Sequence, residues 1–158
     1  MDLRELQACF REKEQKVTDE RLLPGALILT VLSEEEGLVF KNGRSEKPKR
    51  IVLIGIDKLN EVCYGSVLVN TRINPKACFS DEYLSAQFLL KQSDYPEFLD
   101  YDSYADCGEL FSIPIDKLKR GVYFGKLRHE DMERVMDILE TTDTLSTKQK
   151  KRYGIKRR

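Results

Sequence analysis

Apolar residues recur along this chain with a helical rhythm at its two ends and in short strand-length runs between them. Leu3, Leu6, Phe10 and Val17 fall at helical spacing and Asp2 with Glu5 resembles a capping pair, so residues 2–21 are predicted as an amphipathic helix. Leu22-Leu23-Pro24-Gly25 ends it, because proline and glycine both punctuate there. From Ala26 the apolar runs cover 26–32, 38–40, 51–56, 61–70, 87–91, 105–114 and 122–124, with Asn42-Gly43 as a strong turn signal. A short helix is expected at about 75–85. Met132, Val135, Met136 and Leu139 make an i, i+3, i+4, i+7 stripe that predicts a helix over 130–141. Ser146 is placed to cap one last turn that stops at Gly154. The strands come consecutively, without alternating helices, which argues for a mainly β (β-rich α+β) protein: an antiparallel, strongly bent sheet or small barrel with helices packed outside. The expected organisation is an N-terminal helix (1–23), a barrel domain with its C-terminal helix (24–143) and a basic tail (144–158).

A length of 158 residues, 41% hydrophobic and 34% charged, suits a single soluble domain. No apolar run approaches the roughly 20 residues that span a bilayer, and the charged start lacks a signal-peptide core, so no membrane association and a cytoplasmic location are expected. Cys9, Cys63, Cys78 and Cys107 show no Cys-x-x-Cys spacing and read as small core residues. His129 is the sole histidine, which removes Ser-His-Asp, Cys-His and multi-histidine zinc chemistry; neither a metal nor a cofactor is expected.

The net charge of zero conceals a segregation. Residues 81–109 hold eight acids and one lysine, whereas 145–158 hold seven basic residues and no acid. Residues 41–50 hold five basic residues against Glu46. A basic loop with a basic tail is the footprint of a polyanion ligand, and the acidic stretch is expected on a different face. A solvated, partly disordered tail is the simpler reading of 145–158.

The candidate chemistry lies where Lys47-Pro48-Lys49-Arg50 runs into the apolar stretch 51–56. The run 66–70 ends at Thr71-Arg72, and two neighbouring strands of these lengths bring Arg50 and Thr71 to one rim. An arginine and a hydroxyl there suit a phosphate. Each residue also has a plainer role. Arg50 suits a strand-edge pair with a carboxylate, Thr71 a strand end and Asp102-Ser103 a turn or cap. Glu109 suits a base contact, the orientation of Arg50 or a solvent-facing position. His129 suits a helix N-terminus, and Tyr95, Tyr101 and Tyr104 suit either base stacking or packing.

The C-terminal half reads Asp102-Ser103-Tyr104-Ala105-Asp106-Cys107-Gly108-Glu109-Leu110-Phe111-Ser112-Ile113, then Pro114-Ile115-Asp116-Lys117-Leu118, Gly125-Lys126-Leu127 and the 132–139 stripe. This order resembles the MazF/PemK family of toxin endoribonucleases, and Gly25-Ala26-Leu27-Ile28 is similar to that family's opening strand, with Ala26 in place of the usual aspartate. The resemblance covers about residues 24–141. It implies an SH3-like antiparallel barrel, a homodimer, a cognate antitoxin and metal-independent cleavage of single-stranded RNA. Arg50 and Thr71 take the family's catalytic positions, and Lys47, Lys49, Arg44, Arg72, Asn70, Ser103 and Glu109 are the implied RNA-binding set. The family's Arg-Pro is absent, since Pro48 precedes and Ile51 follows Arg50, so Lys47, Lys49 and Arg50 are all eligible at the phosphate.

The chemistry also stands on its own terms. RNA carries its own nucleophile, the 2′-hydroxyl, so a protein need supply only alignment and charge stabilisation. The products are a 2′,3′-cyclic phosphate and a 5′-hydroxyl. The alternative is a non-catalytic barrel that binds nucleic acid, or a protein target such as DNA gyrase in the manner of CcdB, a related fold, through Tyr153-Gly154-Ile155.

Overall fold

The computed structural model describes residues 15–36, 46–70 and 85–155. Seven strands form one antiparallel sheet curled into a half-barrel: β1 (Ala26–Ser33), β2 (Glu46–Asp57), β3 (Val62–Asn70), β4 (Gln87–Leu90), β5 (Ser103–Asp106), β6 (Phe111–Pro114) and β7 (Val122–Lys126). Their order is β4-β5-β3-β2-β1-β7, and β6 follows β5 along the same edge of β3. Three helices are described: α1 (Ile115–Lys119), α2 (His129–Thr141) and α3 (Thr147–Arg152). The mainly β class expected from the sequence is the one observed. No helix among the described residues is long and apolar enough to cross a membrane.

Alternation along the strands gives the sheet two apolar faces. Leu27, Val52, Ile54, Leu68 and Ala105 pack on the first, under Val135 and Leu139 of α2, Leu145 and Ile155 flanking α3, and Tyr95, Phe98 and Leu99. Ala26, Ile28, Leu32, Ile51, Leu53 and Val67 pack on the second, under Leu118 of α1 with Val17 and Leu22. Both faces of the central strands are therefore covered, which is why 51–54 reads as a continuous apolar run.

Three expectations are corrected. Within 2–21, residues 15–18 are not helical: Lys16 bridges Val122 and Tyr123 N–H donates to the Gln15 carbonyl at 2.8 Å, with only a 3₁₀ turn at Asp19–Arg21. Pairing with the edge of β7 and burial of Val17 outweigh helical propensity there. The single strand expected over 105–114 is broken into β5 and β6, because Asp106 Oδ1 accepts the Gly108 N–H at 2.9 Å and turns the chain. Residues 145–155 are not a loose tail. Ser146 and Gln149 form a reciprocal capping box on α3, Gly154 closes it at φ +78°, and Leu145 and Ile155 are buried. The Leu3, Leu6 and Phe10 part of the N-terminal helix, the strand at 38–40, the Asn42-Gly43 turn and all but the last residue of the helix at 75–85 lie outside the described residues.

Docking of the last segment depends on Gly55. A Cβ there would collide with the Tyr153 carbonyl, and the Tyr153 ring packs 4.7 Å from that of Tyr64. Gly55→Ala is expected to lower stability by about 1–3 kcal/mol by displacing this segment. Thermal unfolding checks it, and an unchanged midpoint would contradict the contact.

Candidate nucleic-acid interface

β2 and β3 are paired from Asp57↔Val62 up to Ile51↔Val67, and beyond that level they part. Residues 46–50 then pair with β1, whereas residues 68–70 pair with β5. The sheet therefore opens at one end into a split, with 46–50 on one lip and 68–70 backed by β5 on the other. β2 begins at Glu46 rather than at 51, so Arg50 lies inside the strand and not at its mouth. Pro48 is tolerated within it because this part of the strand has one neighbour among the described residues, and proline has no N–H to offer a second.

Arg50 stands just above the point of divergence. Its Nε donates to the Phe98 carbonyl at 2.7 Å and its Nη2 to Asp100 Oδ2 at 2.8 Å. Phe98 is buried, which makes that carbonyl a firm anchor, while Asp100 is exposed. The arginine side chain is 31% exposed. Two bonds fix the plane of the guanidinium along its Nε edge. Nη1 has no partner among the described residues. The strand-edge pair with a carboxylate is thus the observed state, and it leaves a preset donor edge. Asp100 belongs to the acidic stretch expected on a different face from the basic loop; the two meet here instead.

The other sequence candidates divide. Lys47 and Lys49 share the lip with Arg50, and the Asn70 backbone lies opposite Ser103 on the other lip. Ser103 is buried and its hydroxyl donates to the Tyr101 carbonyl at 3.1 Å, while Asp102 Oδ1 accepts the Gln92 N–H at 2.8 Å. Asp102-Ser103 therefore closes a turn, and the Ser103 hydroxyl is committed there. Glu109 stands apart, in the link between β5 and β6, beside a depression of about 400 Å³ lined also by Thr144, Gln149 and Tyr153. Thr71, Arg72 and Arg44 lie outside the described residues. Sequence reasoning missed the Phe98 carbonyl and Asp100, whose only signal was the density of acids around residue 100.

Burial lowers the pKa of Lys49, and the neighbouring Lys47 ammonium lowers it further. Tyr95 is no stacking platform: it is buried, its hydroxyl donates to Asp131 and accepts the Arg128 N–H at 3.0 Å, and burial drives its pKa far up. Tyr101 is half exposed, and Tyr104 lies opposite Leu89 of β4. His129 opens α2 on the surface, 3.0 Å from Glu133.

Burial pushes the thiol of Cys63 up to about 11 and that of Cys107 to about 12, with Asp106 adding to the second. Neither is expected to react with an alkylating reagent at pH 8 in the folded protein, and both are expected to react after unfolding. Mass mapping of the labelled sites checks this, and rapid native labelling of either would contradict their burial.

No protein-family model and no curated protein sequence matches this chain.

Proposed function

We propose that this protein is a toxin-type endoribonuclease that cuts single-stranded RNA at the split end of its sheet. The observation that carries the reading is Arg50, a guanidinium held in a fixed plane by the carbonyl of buried Phe98 and a carboxylate, with no partner at Nη1 among the described residues. Such a group stabilises charge as it develops on a phosphate without reorganising at the moment of reaction. The 2′-oxygen attacks the adjacent phosphorus, the bond to the 5′-oxygen breaks, and water carries the proton from one oxygen to the other. Thr71, the residue after Asn70 at the end of β3, supplies a hydrogen bond to the same phosphate.

The reading brings partners with it. An antitoxin would lay an acidic, extended segment over the basic lip in competition with RNA, and the working form would be a homodimer in the cytoplasm. Binding to gyrase through Tyr153-Gly154-Ile155 is less favoured, because Ile155 is buried and the Tyr153 ring packs at a tilt against Tyr64.

The test is a sequence-diverse pool of single-stranded RNA incubated with the protein in excess EDTA. Fragments ending in 2′,3′-cyclic phosphate and beginning with 5′-hydroxyl are expected. RNA that is bound but stays intact would replace this reading with a non-catalytic RNA-binding barrel.

A further inference from the structure

Three cations adjacent in sequence are not adjacent in space. Arg50 reaches the first face of the sheet, where its partners Phe98 and Asp100 lie. Lys49 and Lys47 stand directly across from Thr30 and Leu32 of β1. Cross-strand partners share a face. Leu32 packs into the second core, and the Thr30 hydroxyl donates to the Lys117 carbonyl of α1, which covers that same face. Lys47 and Lys49 therefore project on the side of β2 opposite Arg50.

Lys49 is half-buried and Lys47 exposed, yet neither is ion-paired among the described residues, although six such pairs occur there. A partly desolvated ammonium beside a second ammonium is unfavourable until an anion joins them. Residues i and i+2 on one strand face are about 7 Å apart. That interval suits successive phosphates of an extended single strand.

We propose that Lys47 and Lys49 form a second phosphate subsite on the reverse side of β2, so that an RNA strand straddles β2 where the sheet is split. The proposal rests on the RNA reading above and adds a path to it: the phosphate at Arg50 lies on one side of the strand, and two neighbouring phosphates lie on the other. A flexible single strand can bend around the lip, whereas a stiff duplex cannot. The subsite therefore selects single-stranded substrate.

The probe is a fluorescent 2′-O-methyl RNA, which lacks the free nucleophile and stays intact, measured by anisotropy across a salt series. Three variants are compared with the parent: Arg50→Ala, the double Lys47→Ala/Lys49→Ala, and the charge-retaining double Lys47→Arg/Lys49→Arg as a control for folding. Each phosphate contact contributes about 0.7 to the slope of log affinity against log salt for a single strand. The alanine double variant is expected to bind at least tenfold more weakly with a slope shallower by about 1.4, and Arg50→Ala with a slope shallower by about 0.7. The arginine double variant is expected to keep most of the affinity. Annealing the probe to its complement is expected to abolish tight binding.

An alanine double variant with parental affinity and slope, beside a weakened Arg50→Ala, would overturn the subsite and leave the RNA reading standing. Duplex bound as tightly as single strand would overturn the straddling path. A parent protein that binds no RNA would overturn the functional reading itself, and the subsite with it.

Discussion

Arg50→Ala is expected to lower the rate of RNA cleavage at saturating substrate by about 10²–10³-fold, the usual loss when one preorganised donor to a developing charge is removed. On the proposed reading the effect belongs to the rate and not only to affinity, because the guanidinium is already anchored without a ligand and would meet the full charge in the transition state alone. Lysine at this position restores the charge but not the planar fork that spans the Phe98 carbonyl and Asp100, so Arg50→Lys is expected to recover only a small part of the activity. Single-turnover cleavage measures the loss, and thermal unfolding of the same samples separates it from misfolding. Full activity in Arg50→Ala would remove this residue from the chemistry.

Lys117→Met carries the largest expected cost to the fold. Glu36 has a side chain only 2% exposed, and its Oε1 accepts from Lys117 Nζ at 2.6 Å, from the Ser33 N–H at 2.7 Å and from the Ser33 hydroxyl at 3.2 Å. Lys117 also donates to the Ser33 hydroxyl at 3.0 Å, tying α1 to the end of β1 and the 3₁₀ turn Glu34–Glu36. Removing the cation leaves a buried carboxylate without its counter-charge, a loss of about 3–5 kcal/mol. In a domain of this size each kcal/mol lowers the melting point by about 2–4 °C.

The same pair has a pH signature. Burial alone raises the Glu36 pKa, but the hydrogen bond and charge of Lys117 and the two Ser33 donors outweigh it and hold the carboxyl below its ordinary 4.5. A depressed carboxyl pKa contributes stability that is fully present above the unfolded value and is lost as pH falls through the folded one. The stability difference between the parent and Lys117→Met is therefore expected to be largest near neutrality and to narrow below pH 4.5. Denaturant titrations at several pH values check this. A difference that stays constant into acid would show that Lys117 acts through packing and not through Glu36.

Elements that bury a regular face were legible in the sequence. β1, the core of β2, β3, β4, β7 and α2 follow from apolar periodicity, and the start and stop of α3 follow from Ser146 and Gly154 respectively. Periodicity reports burial and not backbone conformation, which is why the first five residues of β2 were missed. At Lys47-Pro48-Lys49 the strand has left the core and has one described neighbour, so nothing apolar marks it.

That omission also hid the division of the site. Once the strand is extended to Glu46, its period of two sends Lys49 and Arg50 to opposite sides, whereas a loop reading leaves them as one cluster. Asp100 and Phe98 meet Arg50 across about fifty residues, and Lys117 meets Glu36 across eighty-one. Contacts at such separations are set by sheet order, which local pattern does not contain.

The central claim is that the substrate supplies the nucleophile and the protein supplies a fixed charge. Its most direct test is a short RNA with a mapped cut, resynthesised with one deoxyribose on the 5′ side of the scissile phosphate. The account predicts that cleavage disappears at that position alone, while other sites in the molecule are still cut. Cleavage that persists at the deoxyribose would contradict it, because the attacking oxygen would then come from water or from the protein.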